Sequence, residues 1–118
     1  MPIPRAVSDS GPDWLWRMVH KDIKWTGALV GSPLWTPAAG KRFIVTDFLI
    51  ICSNAVELTV FDGTDSDGNR LVGGSFAANG GISAPNLRSS FRSSAINNVL
   101  KITTSAGSGY ITVLGYEE

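Results

Sequence analysis

The most informative pattern in the chain is the alternation of apolar and polar residues with a period of two. Residues 43–51 are almost entirely apolar, and their apolar side chains divide between two opposite faces. One face carries Phe43, Val45, Leu49 and Ile51, and the other carries Ile44, Phe48 and Ile50. Successive side chains of a strand point to opposite sides of a sheet. We therefore predict a strand covered on both sides, by a facing sheet on one side and by the N-terminal residues or a neighbouring chain on the other.

Shorter segments that are also predicted to be extended lie before and after residues 43–51. They span residues 25–30, 34–36, 56–61, 70–76, 82–87, 98–104 and 110–116. The segments between them are rich in turn-forming residues, and residues 62–69 form a polar loop within a predicted hairpin. About seven or eight short strands separated by turns are typical of an all-β antiparallel sandwich or barrel.

Residues 1–24 differ from this pattern and are predicted to form an N-terminal arm, while the β-sandwich domain spans residues 25–118. The arm begins with a proline-rich stretch and continues into a dense apolar segment at residues 14–19. Asp13 could cap a short helix there, and a short strand is an equal alternative.

The arm contains two tryptophans but has little room for a hydrophobic core of its own, so these side chains must be buried against another part of the protein or a partner. The arm therefore either packs on its own domain or docks on a neighbouring subunit or another protein. Tryptophan side chains often carry much of the binding energy of an interface. The candidate partner-binding residues are Trp14, Trp16 and Trp25.

The composition of the 118-residue chain agrees with one domain and limits the classes of partner. Apolar residues make up 43% of it, enough for one packed core, while charged residues make up 17%, below the ~25% of average soluble domains. Its basic and acidic residues balance and form no long run of one sign, which argues against a nucleic-acid partner. No stretch approaches the ~20 apolar residues of a membrane-spanning helix, so no membrane partner is expected.

The single cysteine and the single histidine leave little basis for a catalytic or metal site. Cys52 excludes an intrachain disulfide and a multi-cysteine zinc site, and its apolar surroundings predict a small buried side chain. A Ser-His-Asp or Cys-His arrangement would have to use His20, and no Gly-x-Ser-x-Gly sequence is present. We therefore expect no enzymatic activity and no cofactor.

The polar loop is the strongest candidate for a small-ligand site. Its oxygen-bearing side chains, which could surround a calcium ion, are Asp62, Asp65, Asp67 and Asn69. The EF-hand pattern fails, because with Gly68 as its invariant glycine the last ligand position falls on Gly74. The alternative is a solvated hairpin loop in which aspartate and glycine supply the turn geometry.

Several short sequence motifs occur together in a familiar order. They are Phe61-Asp62-Gly63-Thr64, Gly73-Gly74-Ser75-Phe76, Asn79-Gly80-Gly81-Ile82-Ser83, Leu100-Lys101-Ile102-Thr103-Thr104-Ser105 and Val113-Leu114-Gly115-Tyr116. In this arrangement residues 43–116 resemble the small virion proteins of tailed bacteriophages, which have a jelly-roll-like β-sandwich and are often trimeric. The motifs are turns and strands rather than a catalytic signature, and the arm has no match.

The resemblance implies a non-enzymatic structural protein of a phage particle. The expected role is a head decoration or stabilising protein that forms a homotrimer and binds the major capsid protein or another virion protein. It would join the virion during assembly in the host bacterial cytoplasm, with the arm as its anchor. The alternative is a tail-tip or receptor- or carbohydrate-binding module that uses the polar loop and exposed aromatic residues. Those aromatic residues, which otherwise fill the core or a subunit interface, are Trp25, Trp35, Tyr110 and Tyr116.

Overall fold

A computed structural model describes residues 18–84, 87 and 89–118 of the chain, and these residues form nine strands. The strands are β1 (Val19–Thr26), β2 (Leu29–Trp35), β3 (Phe43–Cys52), β4 (Val56–Asp62), β5 (Arg70–Phe76), β6 (Gly81–Ala84), β7 (Phe91–Arg92), β8 (Leu100–Thr104) and β9 (Ser108–Glu117). The described residues contain no helix. The predicted all-β class is confirmed.

The strands form two antiparallel sheets that pack face to face. Sheet A has the order β1-β9-β3-β6, and β7 also pairs with β3. Sheet B has the order β2-β8-β4-β5. Most of the strand pairs join strands that are distant in sequence, and among the described strands only β4 and β5 form a hairpin of consecutive strands. The predicted antiparallel sandwich is therefore confirmed, as is the hairpin around the polar loop.

Strand β1 begins earlier than the sequence pattern predicts. It pairs with β9 along its whole length, from Val19 opposite Gly115 to Thr26 opposite Ser108. Residues 19–24, assigned above to the arm, therefore belong to sheet A. Their charged side chains obscured the alternation of apolar and polar residues, because an edge strand exposes both its outer face and its unpaired edge to water. The predicted strand at 25–30 is in fact divided at Gly27, whose positive φ of 117° turns the chain into β2.

The core lies between the two sheets and is built from the inward positions of each strand. Its fully buried members include Trp25, Trp35, Phe43, Ile50, Leu58, Leu100, Ile102, Ile111 and Val113. The indole N–H of Trp35 donates a hydrogen bond of 2.8 Å to Glu117 at the end of β9. Both large indoles thus have defined positions inside the sandwich, which accounts for two of the four tryptophans.

A β-bulge in β3 changes which residues share a face. The pairing of β3 with β9 shifts between Val45 and Asp47. Phe43 and Val45 point into the core before the shift, and Phe48 and Ile50 do so after it. The prediction that Leu49 lies on the face of Phe43 and Val45 was therefore wrong. Strict alternation assumes that no residue is inserted, whereas the bulge adds one residue and reverses the two faces beyond it.

Candidate interaction surface

The structure separates the three tryptophans that were proposed as partner anchors. Trp14 and Trp16 lie outside the described residues, so their role stays a prediction. Trp25 is 1% exposed in the core cluster and is not available as a surface anchor. Its ring packs over Gly109, where any side chain would meet it. Trp25 is therefore a core residue of the sandwich.

The acidic side chains of the polar loop make two different kinds of contact, one exposed and one buried. Asp65 and Asp67 both pair with Arg70, at 2.7 and 3.1 Å, and these ion pairs are solvent-exposed. The carboxylate of Asp65 holds the pKa of Arg70 above its ordinary value, through its hydrogen bond and its charge. The amide of Asn69 donates to the carbonyl of Thr64 within the loop. These contacts are the ones expected of a hairpin loop closed by its own residues.

Asp62 points away from its loop neighbours and into the end of the sandwich. It is 3% exposed, and its carboxylate accepts hydrogen bonds from the Ser94 amide at 2.7 Å, the Ser93 hydroxyl at 3.0 Å and the Asn98 amide at 3.1 Å. The buried carboxylate therefore connects the end of β4 to the segment between β7 and β8. The structure does not bring the four candidate ligands together, and no group of three metal-ligating side chains occurs among the described residues.

The histidine and the cysteine lie in unrelated places. His20 is exposed on β1, at the edge of sheet A. Cys52 is buried at the end of β3, and desolvation raises the pKa of its thiol above the ordinary value. A buried thiol with a raised pKa contains little thiolate near neutral pH, so we expect Cys52 to react slowly in the folded protein.

We expect native Cys52 to react with a disulfide reagent such as DTNB at least about 100-fold more slowly than an unfolded chain at the same pH. The reaction is followed by absorbance, with the urea-unfolded protein as the control for full labelling. Complete labelling of the native protein at the unfolded rate would contradict the burial of this thiol.

The outer faces of the two sheets differ in character. On sheet B the outward positions of the central strands are mainly polar: Glu57 and Thr59 on β4, and Lys101 and Thr103 on β8. On sheet A the corresponding positions of β3 carry Leu49 and Ile51, which are 38% and 50% exposed. One outer face thus suits water, while the other presents apolar side chains to it.

Five side chains on the outer face of sheet A, three of them aliphatic, form a stripe across β3 and β9, which we call the A-face stripe. Cross-strand register places Leu49 beside Thr112, and Ile51 beside Tyr110. Leu114 continues the stripe, and a shallow depression lies between Leu49, Leu114 and Ser83 of β6. The members of the stripe are Leu49, Ile51, Tyr110, Thr112 and Leu114. The sequence signal for it was the run of apolar residues in both phases of 43–51.

Charged side chains of β1 border the A-face stripe. Asp22 lies beside Thr112, and Lys24 lies beside Tyr110, so both project from the same outer face. The Tyr110 hydroxyl donates a hydrogen bond of 2.6 Å to Asp22. The stripe therefore has one border with adjacent charges of opposite sign, two residues apart.

No protein-family model matches the chain, and no curated protein or solved structure is significantly similar to it. The part of the chain that the structure describes contains no helix long and apolar enough to cross a membrane.

Proposed function

We propose that the protein is a non-enzymatic structural component of a tailed-bacteriophage virion, a capsid decoration protein that binds as a trimer. The observation that carries the proposal is the A-face stripe, where Leu49 and Ile51 stay exposed on sheet A, while the outward positions of the central strands of sheet B are mainly polar. A surface of this kind suits binding to other protein subunits rather than catalysis.

The order of the strands supports the jelly-roll-like part of the proposal. Most connections cross from one sheet to the other, as from β1 to β2, β2 to β3 and β8 to β9. Each sheet then has four strands in a continuous order, as in a double-sheet jelly roll. The two residues of β7 pair with Ile44 and Val45 at the start of β3.

The carbohydrate-binding alternative has less support. Trp25 and Trp35 are each 1% exposed, so neither ring is available to stack on a sugar. Asp65 and Asp67 are paired with Arg70, and Asp62 is engaged in the sandwich end. The two indoles and the three aspartates of that alternative are therefore engaged within the chain, whereas Tyr110 and Tyr116 stay partly exposed.

The test of the proposed function is co-sedimentation with capsids assembled from the major capsid protein of the same genome. We expect the purified chain to pellet with capsids at a saturable, fixed ratio. We also expect the double variant Trp14→Ala/Trp16→Ala to lose at least about 10-fold in affinity, since each truncation of an interface anchor costs about 1–2 kcal/mol or more.

Two exposed apolar residues outside the arm supply the matched control. Val30 and Ile96 are 87% and 50% exposed, and the double variant Val30→Ala/Ile96→Ala should bind capsids like the wild type. Circular dichroism establishes that each variant is folded. Absence of the wild-type chain from the capsid pellet would overturn the decoration role, and full binding by the folded tryptophan variant would overturn the anchoring role of the arm.

A further inference from the structure

Four of the five residues of the A-face stripe, all except Leu114, lie in two neighbouring rows of side chains that run across sheet A. One row contains Lys24, Tyr110 and Ile51, which are cross-strand neighbours on β1, β9 and β3. The next row, two residues further along each strand, contains Asp22, Thr112 and Leu49. Each row therefore has one charged residue on β1 and one aliphatic residue on β3.

These two rows are complementary to each other. Consider a two-fold axis that lies between two facing sheets and runs parallel to the two rows, midway between them and at right angles to the strands. Such an axis would place each row against the other row of a second copy. Lys24 would then face Asp22 of the second copy, and Ile51 would face Leu49 of the second copy. Both charges are exposed, and facing sheets pack about 10 Å apart, a gap that these side chains can fill.

We infer that the outer face of sheet A binds the same face of a second copy of this chain through this two-fold arrangement. An isologous contact satisfies each complementary pair twice, because residue i contacts j and j contacts i. The opposite charges fix the register of the two sheets, and the aliphatic pairs supply the apolar burial. The outer face of sheet B has no aliphatic pair at its central strands to support such a contact.

The size of the face agrees with a reversible contact. Strand β9 has 10 residues, which corresponds to a length of about 34 Å, and four strands cover a width of about 19 Å. Because β1 has 8 residues and β6 only 4, the face is smaller than this rectangle, and two facing copies would bury about 1,000 Å², the minimum area expected of a specific protein interface. The association should therefore depend on concentration.

In relation to the proposed function, which this inference deepens, the face would join copies of adjacent trimers. Neighbouring three-fold trimers on a closed lattice are related by two-fold axes, so one surface can form the trimer and another can connect trimers. The face contact is nevertheless a property of the isolated chain. Its failure would be seen in solution, whereas failure of the decoration role would be seen with capsids.

Light scattering across a concentration series tests the inference. We expect the mass to double with concentration, from one chain to two, or from three to six where the trimer also forms. Leu49→Lys should raise the dissociation constant of this doubling at least about 30-fold, because it places two lysines in the apolar part of the contact. Val30→Lys, an exposed apolar position on the other sheet, is the matched control and should leave the constant within about twofold.

Charge reversal tests the axis itself. Asp22→Lys and Lys24→Asp should each raise the dissociation constant about fivefold, because each creates two like-charged pairs across the axis. The double variant Asp22→Lys/Lys24→Asp restores opposite pairs and should return the constant to within about twofold of the wild type. No concentration-dependent doubling, equal loss with Val30→Lys, or additive loss in the double charge variant would each overturn the inference.

Discussion

Gly115→Ala should destabilise the sandwich by at least about 3 kcal/mol, or prevent it from folding. Gly115 lies in the central strand β9, opposite Val45 at the bulge of β3. A Cβ atom at this position would overlap the carbonyl oxygen of Ile44 and also press on the ring of Trp35. The Ile44 oxygen belongs to the backbone of the paired strand, so it cannot move without separating β3 from β9.

Urea unfolding followed by tryptophan fluorescence measures this effect. Gly73→Ala is the matched control, since Gly73 also lies in a strand, and a Cβ there would make only ordinary contacts of 3.7 Å or more. We expect the control to unfold within about 1 kcal/mol of the wild type, because the smaller entropy of its unfolded chain offsets minor repacking. A folded Gly115→Ala protein as stable as the control would contradict the close approach of β3 and β9.

Asp62→Ala should destabilise the protein by about 3 kcal/mol. The Asp62 carboxylate accepts bonds from the Ser93 hydroxyl, the Ser94 amide and the Asn98 side chain, and it is almost fully buried. Hydrogen bonds to a charged group are stronger than neutral ones, and their loss leaves buried donors without an acceptor. The segment between β7 and β8 should consequently separate from the end of β4.

The measurements are the unfolding midpoint in urea and the hydrogen-exchange rate of the Ser94 amide, which should rise in the Asp62→Ala protein. Asp67→Ala is the control from the same loop, because the Asp67 side chain is fully exposed. We expect it to leave both the midpoint and the Ser94 exchange rate unchanged. Equal effects of the two substitutions would show that Asp62 acts as an ordinary loop residue.

The candidate surface was only partly predictable from sequence. The doubly apolar segment at 43–51 indicated that β3 needs a cover on both sides, and Leu49 and Ile51 are indeed on the outer face, opposite to Phe48 and Ile50. The sequence could not show that β9 and β1 lie beside it. The A-face stripe depends on that order, because the exposed Leu49 gains Thr112 and Asp22 as neighbours only through pairing.

The acidic loop illustrates the opposite case. Its four oxygen-bearing residues are close in sequence, which suggested a common ligand. In the structure the Asp62 side chain points into the end of the sandwich, whereas Asp65 and Asp67 both form ion pairs with Arg70. Proximity along the chain did not determine these directions, since Asp62 occupies an inward position at the end of β4 while the others lie beyond the strand.

By itself the sequence determined the all-β class, the hairpin of β4 and β5, and most positions of the strands. These properties depend on the alternation of apolar and polar residues and on turn-forming residues, and both signals involve only a few neighbouring positions in the sequence. Only the tertiary structure decided the order of the strands, the bulge in β3, the start of β1 at Val19 and the burial of Trp25. Each of those depends on contacts between residues far apart in the chain, such as Trp35 with Glu117, 82 positions away. Side-chain periodicity carries no information about which distant strand supplies the partner.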